Sequence, residues 1–164
     1  MSAEKMIKTL QNLLLLYKSL NQIALKKTEV IKKGNADSLN VLINEEQKHI
    51  TGITKWEKLL MDDAKQFLLK KGMTVETPSL SDSIMHSSIE EKQTLIDLKN
   101  DLTGQVNLLK QQNNLNQQLL EQSLQFVNMS LDMLLPAIDS FNYEPPNHLQ
   151  DLSEDKRSIF DSKA

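Results

Sequence analysis

The sequence predicts an all-α protein: an elongated antiparallel helical hairpin with a long third helix beside it, a three-helix coiled-coil-like bundle with a flexible C-terminal tail. Three observations predict it. With four Gly, four Pro and 4% aromatic residues in 164, the chain is poor in the turn and strand formers that sheets require. Apolar residues recur at alternating three- and four-residue spacing through three long stretches, the period of one helix face. Turn and cap residues concentrate between those stretches, at Gly34-Asn35 and from Gly72 to Ser83. The expected division is a helical domain over residues 1–140 and a tail over 141–164.

The first helix is expected over residues 3–33. Ile7, Leu10, Leu14, Tyr17, Asn21, Ala24, Thr28 and Ile31 keep an unbroken three-four repeat, flanked by Leu13, Leu16, Leu20 and Ile23. Gly34 can take the left-handed conformation that closes a helix, and Asp37 is a natural N-cap for the next one. So short a link makes the first two helices antiparallel neighbours. The second helix is expected over 37–71, with its seam at Leu39, Leu42, Glu46, His49, Ile53, Trp56, Leu60, Asp63 and Phe67. Glu46 and His49 sit three residues apart on one face, a spacing that could serve proton transfer or metal binding. A lone carboxylate and imidazole with no third ligand read more simply as a structural pair, and Trp56 as a core or interface anchor.

Residues 72–83, with Gly72, Pro78 and several Ser/Thr caps, form a connector. A short turn is expected at Ile84 and Met85, then Ser87 or Ser88 caps a third helix reaching about residue 140, with Glu90-Glu91 at its positive end. Pro136 should kink or stop that helix near Leu135, because proline lacks an N–H and clashes with the carbonyl four residues back. Its stretch from Gln105 to Leu135 contains only three charges, Lys110, Glu121 and Asp132. Leu102, Val106, Leu109, Leu120, Val127, Leu131 and Leu134 line one seam, carried across the middle by Asn113, Asn116 and Ser123. A second row, Leu108, Leu115, Leu119, Leu124, Phe126 and Leu135, makes the apolar surface wider than one coiled-coil partner covers. Nine of the fourteen residues from Gln105 to Gln118 are Asn or Gln; they suit adaptable helix recognition, or set register as single polar seam residues do.

Composition excludes several functions. There is no cysteine, hence no disulfide or thiolate metal site, which suits a reducing compartment. No apolar run reaches the about 18 residues of a membrane span. A net charge of −3 argues against nucleic acid, although residues 1–34 carry seven Lys against two Glu. No Gly-rich phosphate loop, His-Glu-x-x-His or nucleophile elbow is present, so neither an enzyme nor a cofactor is expected. From Phe141 on, Pro145-Pro146 and acidic residues replace the periodic pattern, and Tyr143, Leu149, Leu152, Ile159 and Phe160 remain as isolated apolar anchors of the kind short docking motifs use.

The run Asn113-Asn114-Leu115-Asn116-Gln117-Gln118-Leu119-Leu120, followed by Ser123-Leu124-Gln125-Phe126, resembles the signature of the FlgN family of flagellar export chaperones. The leucine-rich first helix, Glu45-Glu46-Gln47, Tyr143 and the ending Phe160-Asp161-x-Lys163-Ala164 are similar to family features in order and spacing. Relatives often place a Gly after the tyrosine, where this chain has Glu144-Pro145-Pro146-Asn147. The resemblance implies a cytoplasmic chaperone that binds C-terminal helical segments of hook–filament junction proteins, holds them unassembled and delivers them to the cytoplasmic domain of the export gate. On that reading Asn113, Asn116, Leu119, Leu120, Ser123, Leu124, Val127, Leu131 and Leu134 contact cargo, and Tyr143 docks the gate. A structural coiled-coil scaffold and an adaptor for another secretion system are the alternatives. Oligomeric state is left open, a homodimer of the cargo-free chain included.

Overall fold

Two glycines set the helix ends. In the computed structural model, which describes residues 3–74 and 77–142 with side chains through Leu134, Gly34 and Gly72 take φ of +66° and +79°, the left-handed region that costs a Cβ-bearing residue. Each closes a helix with the same pair of bonds. Gly34 N–H donates to Ile31 O and Asn35 N–H to Val30 O, while Gly72 N–H donates to Leu69 O and Met73 N–H to Leu68 O, at 3.0–3.2 Å. This double bond pattern satisfies carbonyls that a bare helix end would orphan. The helices so closed are α1 (Glu4–Lys32) and α2 (Ala36–Lys70), and α3 (Leu80–Met85) and α4 (Ile89–Asn142) follow.

Three boundaries differ from expectation. Asn35, not Asp37, caps α2, its Oδ1 accepting from Ser38 N–H at 3.0 Å, because the glycine motif leaves Asn35 extended and the helix begins one residue sooner. Asp37 then lies in the first turn, where the helix dipole favours a carboxylate. The connector contains a helix: Ser79 and Asp82 form a reciprocal capping box that starts α3 at Leu80, so the turn at Ile84 and Met85 is the end of six helical residues. Hydrogen bonds from the Ser79 hydroxyl and N–H hold the Asp82 carboxyl below the usual carboxylate range. Ser88 caps α4, accepting from Glu91 N–H. The stop near Leu135 does not occur, since α4 runs past Pro136 to Asn142; a proline removes one bond, and those on either side persist. Tyr143 and the rest of the expected tail lie outside the described residues.

The chain separates into two compact units, Met1–Gln125 and Phe126–Ala164. In the first, pairing directions follow from sequence separations. Between α1 and α2, contacts close toward the turn: Thr9 with Asp63, Tyr17 with Glu57, Ser19 with His49 and Lys27 with Glu46, at separations of 54, 40, 30 and 19 residues. That is an antiparallel hairpin. Between α1 and α4 the separation stays at 84 to 92 residues from Asn21 to Thr28, so α4 runs parallel to α1. All four helices meet in a cluster of Met6, Leu10, Phe67, Leu68, Ile84 and Leu95. A second cluster centres on Leu13, Leu20 and Ile53, with half-buried Tyr17, Trp56, Leu102 and Leu109 against it. In the second unit, α4 continues as a helix whose described side chains from Phe126 to Leu134 are exposed, except for half-buried Ser130.

Tyr17 supplies a check on the hairpin. Its hydroxyl donates to Glu57 Oε1 at 3.1 Å, and burial, then the charge and hydrogen bond of Glu57, push its pKa up to about 12. A folded value above the unfolded value of about 10 means that the contribution is intact below pH ~10 and is lost as pH rises toward 12. In an alkaline titration of tyrosine absorbance the wild type should show a step near 12 that Tyr17→Phe removes. A wild type with both of its tyrosines ionising near 10 would contradict the Tyr17–Glu57 contact.

Candidate partner-binding surface

Two polar layers register α4 against α1. Asn21, 9% exposed, donates Nδ2–H to the backbone carbonyl of Gln105 at 3.0 Å and to its side-chain Oε1 at 2.8 Å. One turn or two further along, Thr28 donates its hydroxyl to Asn116 Oδ1 at 2.6 Å and accepts from Gln112 Nε2–H, while Asn116 Nδ2–H donates to Ala24 O at 2.9 Å. Thr28 and Asn116 are 5% and 3% exposed. No described buried side-chain N or O lacks a partner, which is what burying amides requires. A slip of α4 by one turn would leave these groups unpaired, so the amides at Gln105, Gln112 and Asn116 fix register. Asn113, Asn114, Gln117 and Gln118 of the same run are exposed.

The predicted contact residues therefore divide. Asn116, expected on the contact surface, is instead interior, because its two bonds to α1 take both ends of its amide. Leu119 is half-buried; Asn113 and Ser123 are exposed, Ser123 donating to Leu119 O at 2.8 Å. Leu120 and Leu124 complete the first unit's share, with Leu124 63% exposed. In the second unit Val127, Leu131 and Leu134 are each at least half exposed, and Phe126, Met129 and Met133, which the seam pattern did not select as contacts, are exposed more fully than Val127. Their signal was available as a count of large apolar residues on every side of the helix, which no single stripe accounts for.

Continuity of spacing gives this surface its meaning. Leu95, Leu102, Leu109 and Asn116 recur every seven residues and face the interior of the first unit. Beyond Asn116 the apolar positions follow at three- and four-residue spacing without burial: Leu120 and Ser123 in the first unit, Val127, Leu131 and Leu134 in the second. The bonds between α1 and α4 place Thr28 level with Gln112 and Asn116, and α1 ends only four residues later, at Lys32. Within the first unit the repeat thus runs out of covering helix soon after Asn116, and Leu120, Ser123 and Leu124 are exposed.

The Glu46–His49 pair has no catalytic arrangement. Glu46 accepts from Lys27 Nζ at 2.8 and 3.0 Å in a largely enclosed ion pair. His49 Nδ1 faces the Glu45 carbonyl at 2.9 Å, which can only accept, so Nδ1 carries the proton and Nε2 accepts from Ser19 Oγ–H at 2.8 Å. Both residues bind α1 rather than each other. Among the described residues no group of three or more His, Asp or Glu could hold a metal ion, and no helix is long and apolar enough to cross a membrane.

The chain is similar to known proteins over nearly its whole length. Residues 1–157 match a family model described as FlgN protein. An uncharacterized protein of Bacillus subtilis (strain 168), YvyG, is 34% identical over 164 residues, covering 100% of both chains. No solved structure matches.

Proposed function

Because the chain belongs to the FlgN family of flagellar export chaperones, we propose that it acts in the cytoplasm on the hook–filament junction proteins, binding their C-terminal helical segments, blocking premature assembly and delivering them to the export gate. The observation that carries this reading is exposed apolar surface on α4: Leu120 and Leu124 in the first unit, and Val127, Leu131 and Leu134 in the second, are exposed. Exposed apolar surface of this kind is costly to leave in water and marks an interaction site. A proteinaceous amphipathic helix is the ligand that matches a three-four spacing, because its own stripe has the same period. Holding that stripe removes it from assembly.

Cargo contacts are assigned to Asn113, Leu119, Leu120, Ser123 and Leu124 in the first unit and to Val127, Leu131 and Leu134 in the second, with Asn116 left to the interior. Tyr143 is assigned to docking at the cytoplasmic domain of the gate. Co-purification of the full chain with each junction protein, and then with each junction protein lacking its C-terminal helical segment, tests the reading. The expected result is a complex with the intact proteins that disappears with the segment. A chain that forms a tight homodimer and ignores junction proteins would instead be a scaffold. For the tail, Tyr143→Ala should lose gate binding with cargo binding and melting temperature unchanged; unchanged gate affinity would remove Tyr143 from that role.

A further inference from the structure

The hairpin carries a second unfilled groove, formed by α1 and α2 alone. Three hollows open along it. The first, at the start of α1, is lined by Lys5, Met6, Asp63, Gln66, Phe67 and Lys70. The next, of 240 Å³, has Lys5 and Lys8 above Trp56 and Leu59, and the third, of 420 Å³ near the hairpin turn, has Lys26 beside Val30 and Val41. From Lys5 to Val30 the three hollows are strung along α1 over about 38 Å at 1.5 Å per residue, the second and third separated by the stretch from Asn12 to Lys26.

Lysines outnumber acids in its lining, Lys5, Lys8, Lys26 and Lys70 against Asp63 and Glu29. The acids that line it are already engaged: Asp63 accepts from the Thr9 hydroxyl at 3.0 Å, and Glu29 accepts from Lys32 at 3.1 Å. Among the described residues Lys5, Lys8, Lys26 and Lys70 make no ion pair. A face that served only to keep the hairpin solvated would show lysines over polar neighbours. Here they flank an apolar floor in which Leu59 is 42% and Val41 58% exposed and Trp56 half-buried.

We propose that this groove docks an acidic amphipathic helix of a partner protein, separately from the surface on α4. The guest lays its apolar stripe on Trp56, Leu59 and Val41, and carboxylates on either side of that stripe meet the free lysines. The apolar floor supplies affinity and the lysines supply selection for an acidic guest and a fast, salt-sensitive encounter. A basic helix of the same shape is rejected by like charge.

Trp56 reports occupancy directly, because the chain has one Trp. The probe is a synthetic helical peptide with leucines at three-four spacing flanked by glutamates, compared with its counterpart carrying lysines, both titrated into the full chain. The acidic peptide should shift Trp56 emission saturably and bind more weakly as salt rises, while the basic one leaves emission unchanged. Lys5→Glu with Lys8→Glu should weaken the acidic peptide about tenfold or more, and Leu124→Asp should leave it unaffected, which separates this groove from the α4 surface. An equal response to both peptides, no response to either, or indifference to the charge reversal would overturn the proposal. So would a shift produced by phosphatidylserine vesicles and not by the peptide, or one produced by raising the protein concentration alone, which would assign the groove to a membrane surface or to a second copy.

Discussion

Leu124→Asp and Leu131→Asp, made separately, are expected to abolish binding of a junction protein's C-terminal segment while the chain remains folded. Each places a carboxylate where the proposed cargo buries apolar surface, and a desolvated charge without a partner costs several kcal/mol. A loss of even about 3 kcal/mol weakens binding more than a hundredfold. Fold stability should barely respond, since the two leucines are 63% and 52% exposed and an exposed helical Leu→Asp costs only about 0.5 kcal/mol in propensity. Leu95→Ala is the contrasting control. Leu95 is 0% exposed among Met6, Leu10 and Ile84, so truncation should cost about 2–5 kcal/mol in urea unfolding. If the Leu124 and Leu131 variants unfold as Leu95→Ala does, their surface is core and the cargo assignment falls.

Asn116→Asp should produce the largest stability loss from a single near-isosteric change, about 3 kcal/mol or more at pH 7. The volume is unchanged, but an oxygen replaces the N–H₂ that faces Ala24 O at 2.9 Å, in a site 3% exposed. A carboxylate there confronts a carbonyl with no donor between them. Burial and that carbonyl raise the new group's pKa in the folded chain above the unfolded value of about 3.9. With the folded value raised, the deficit is smallest below pH ~4 and grows as pH rises through it, because the unfolded state ionises first. Unfolding at pH 4 and pH 7, each referred to the wild type at the same pH, measures this. A deficit under about 1 kcal/mol and independent of pH would mean that the Thr28–Asn116 layer is not enclosed.

Much of this arrangement was legible in the chain. Gly34 and Gly72 marked helix ends because few other residues take a positive φ, and three-four spacing placed Asn21, Thr28 and Asn116 on seams, where they are buried. Periodicity says which residues share a face, not whether anything covers that face. Leu109 and Leu120 lie in one repeat of the first unit, yet one packs against the hairpin and the other is exposed; the difference is the length of α1, a neighbour far away in sequence. For the same reason Glu46 was paired with His49 by local spacing when its partner is Lys27, across the turn. Of α3 only the end at Ile84 and Met85 is expected, because six residues are too few for a period, although Ser79 and Asp82 hold its capping signature. Asn35 was passed over for Asp37 because both are good caps, and only the backbone of the glycine turn decides between them.

The parallel alignment of α1 with α4 also has a consequence for how the molecule comes into being. Residues that meet in the α1–α2 hairpin are separated by as few as 19 positions, whereas every bond from α4 to α1 spans at least 84. Closing the larger loop costs more entropy and must wait for more chain. On a ribosome the hairpin is therefore complete while α4 is still being made, and its apolar seam is open to other helices in the interval. The amides of Gln105, Gln112 and Asn116 pair with α1 only across those long separations, so registration of α4 carries the larger loop-closure cost.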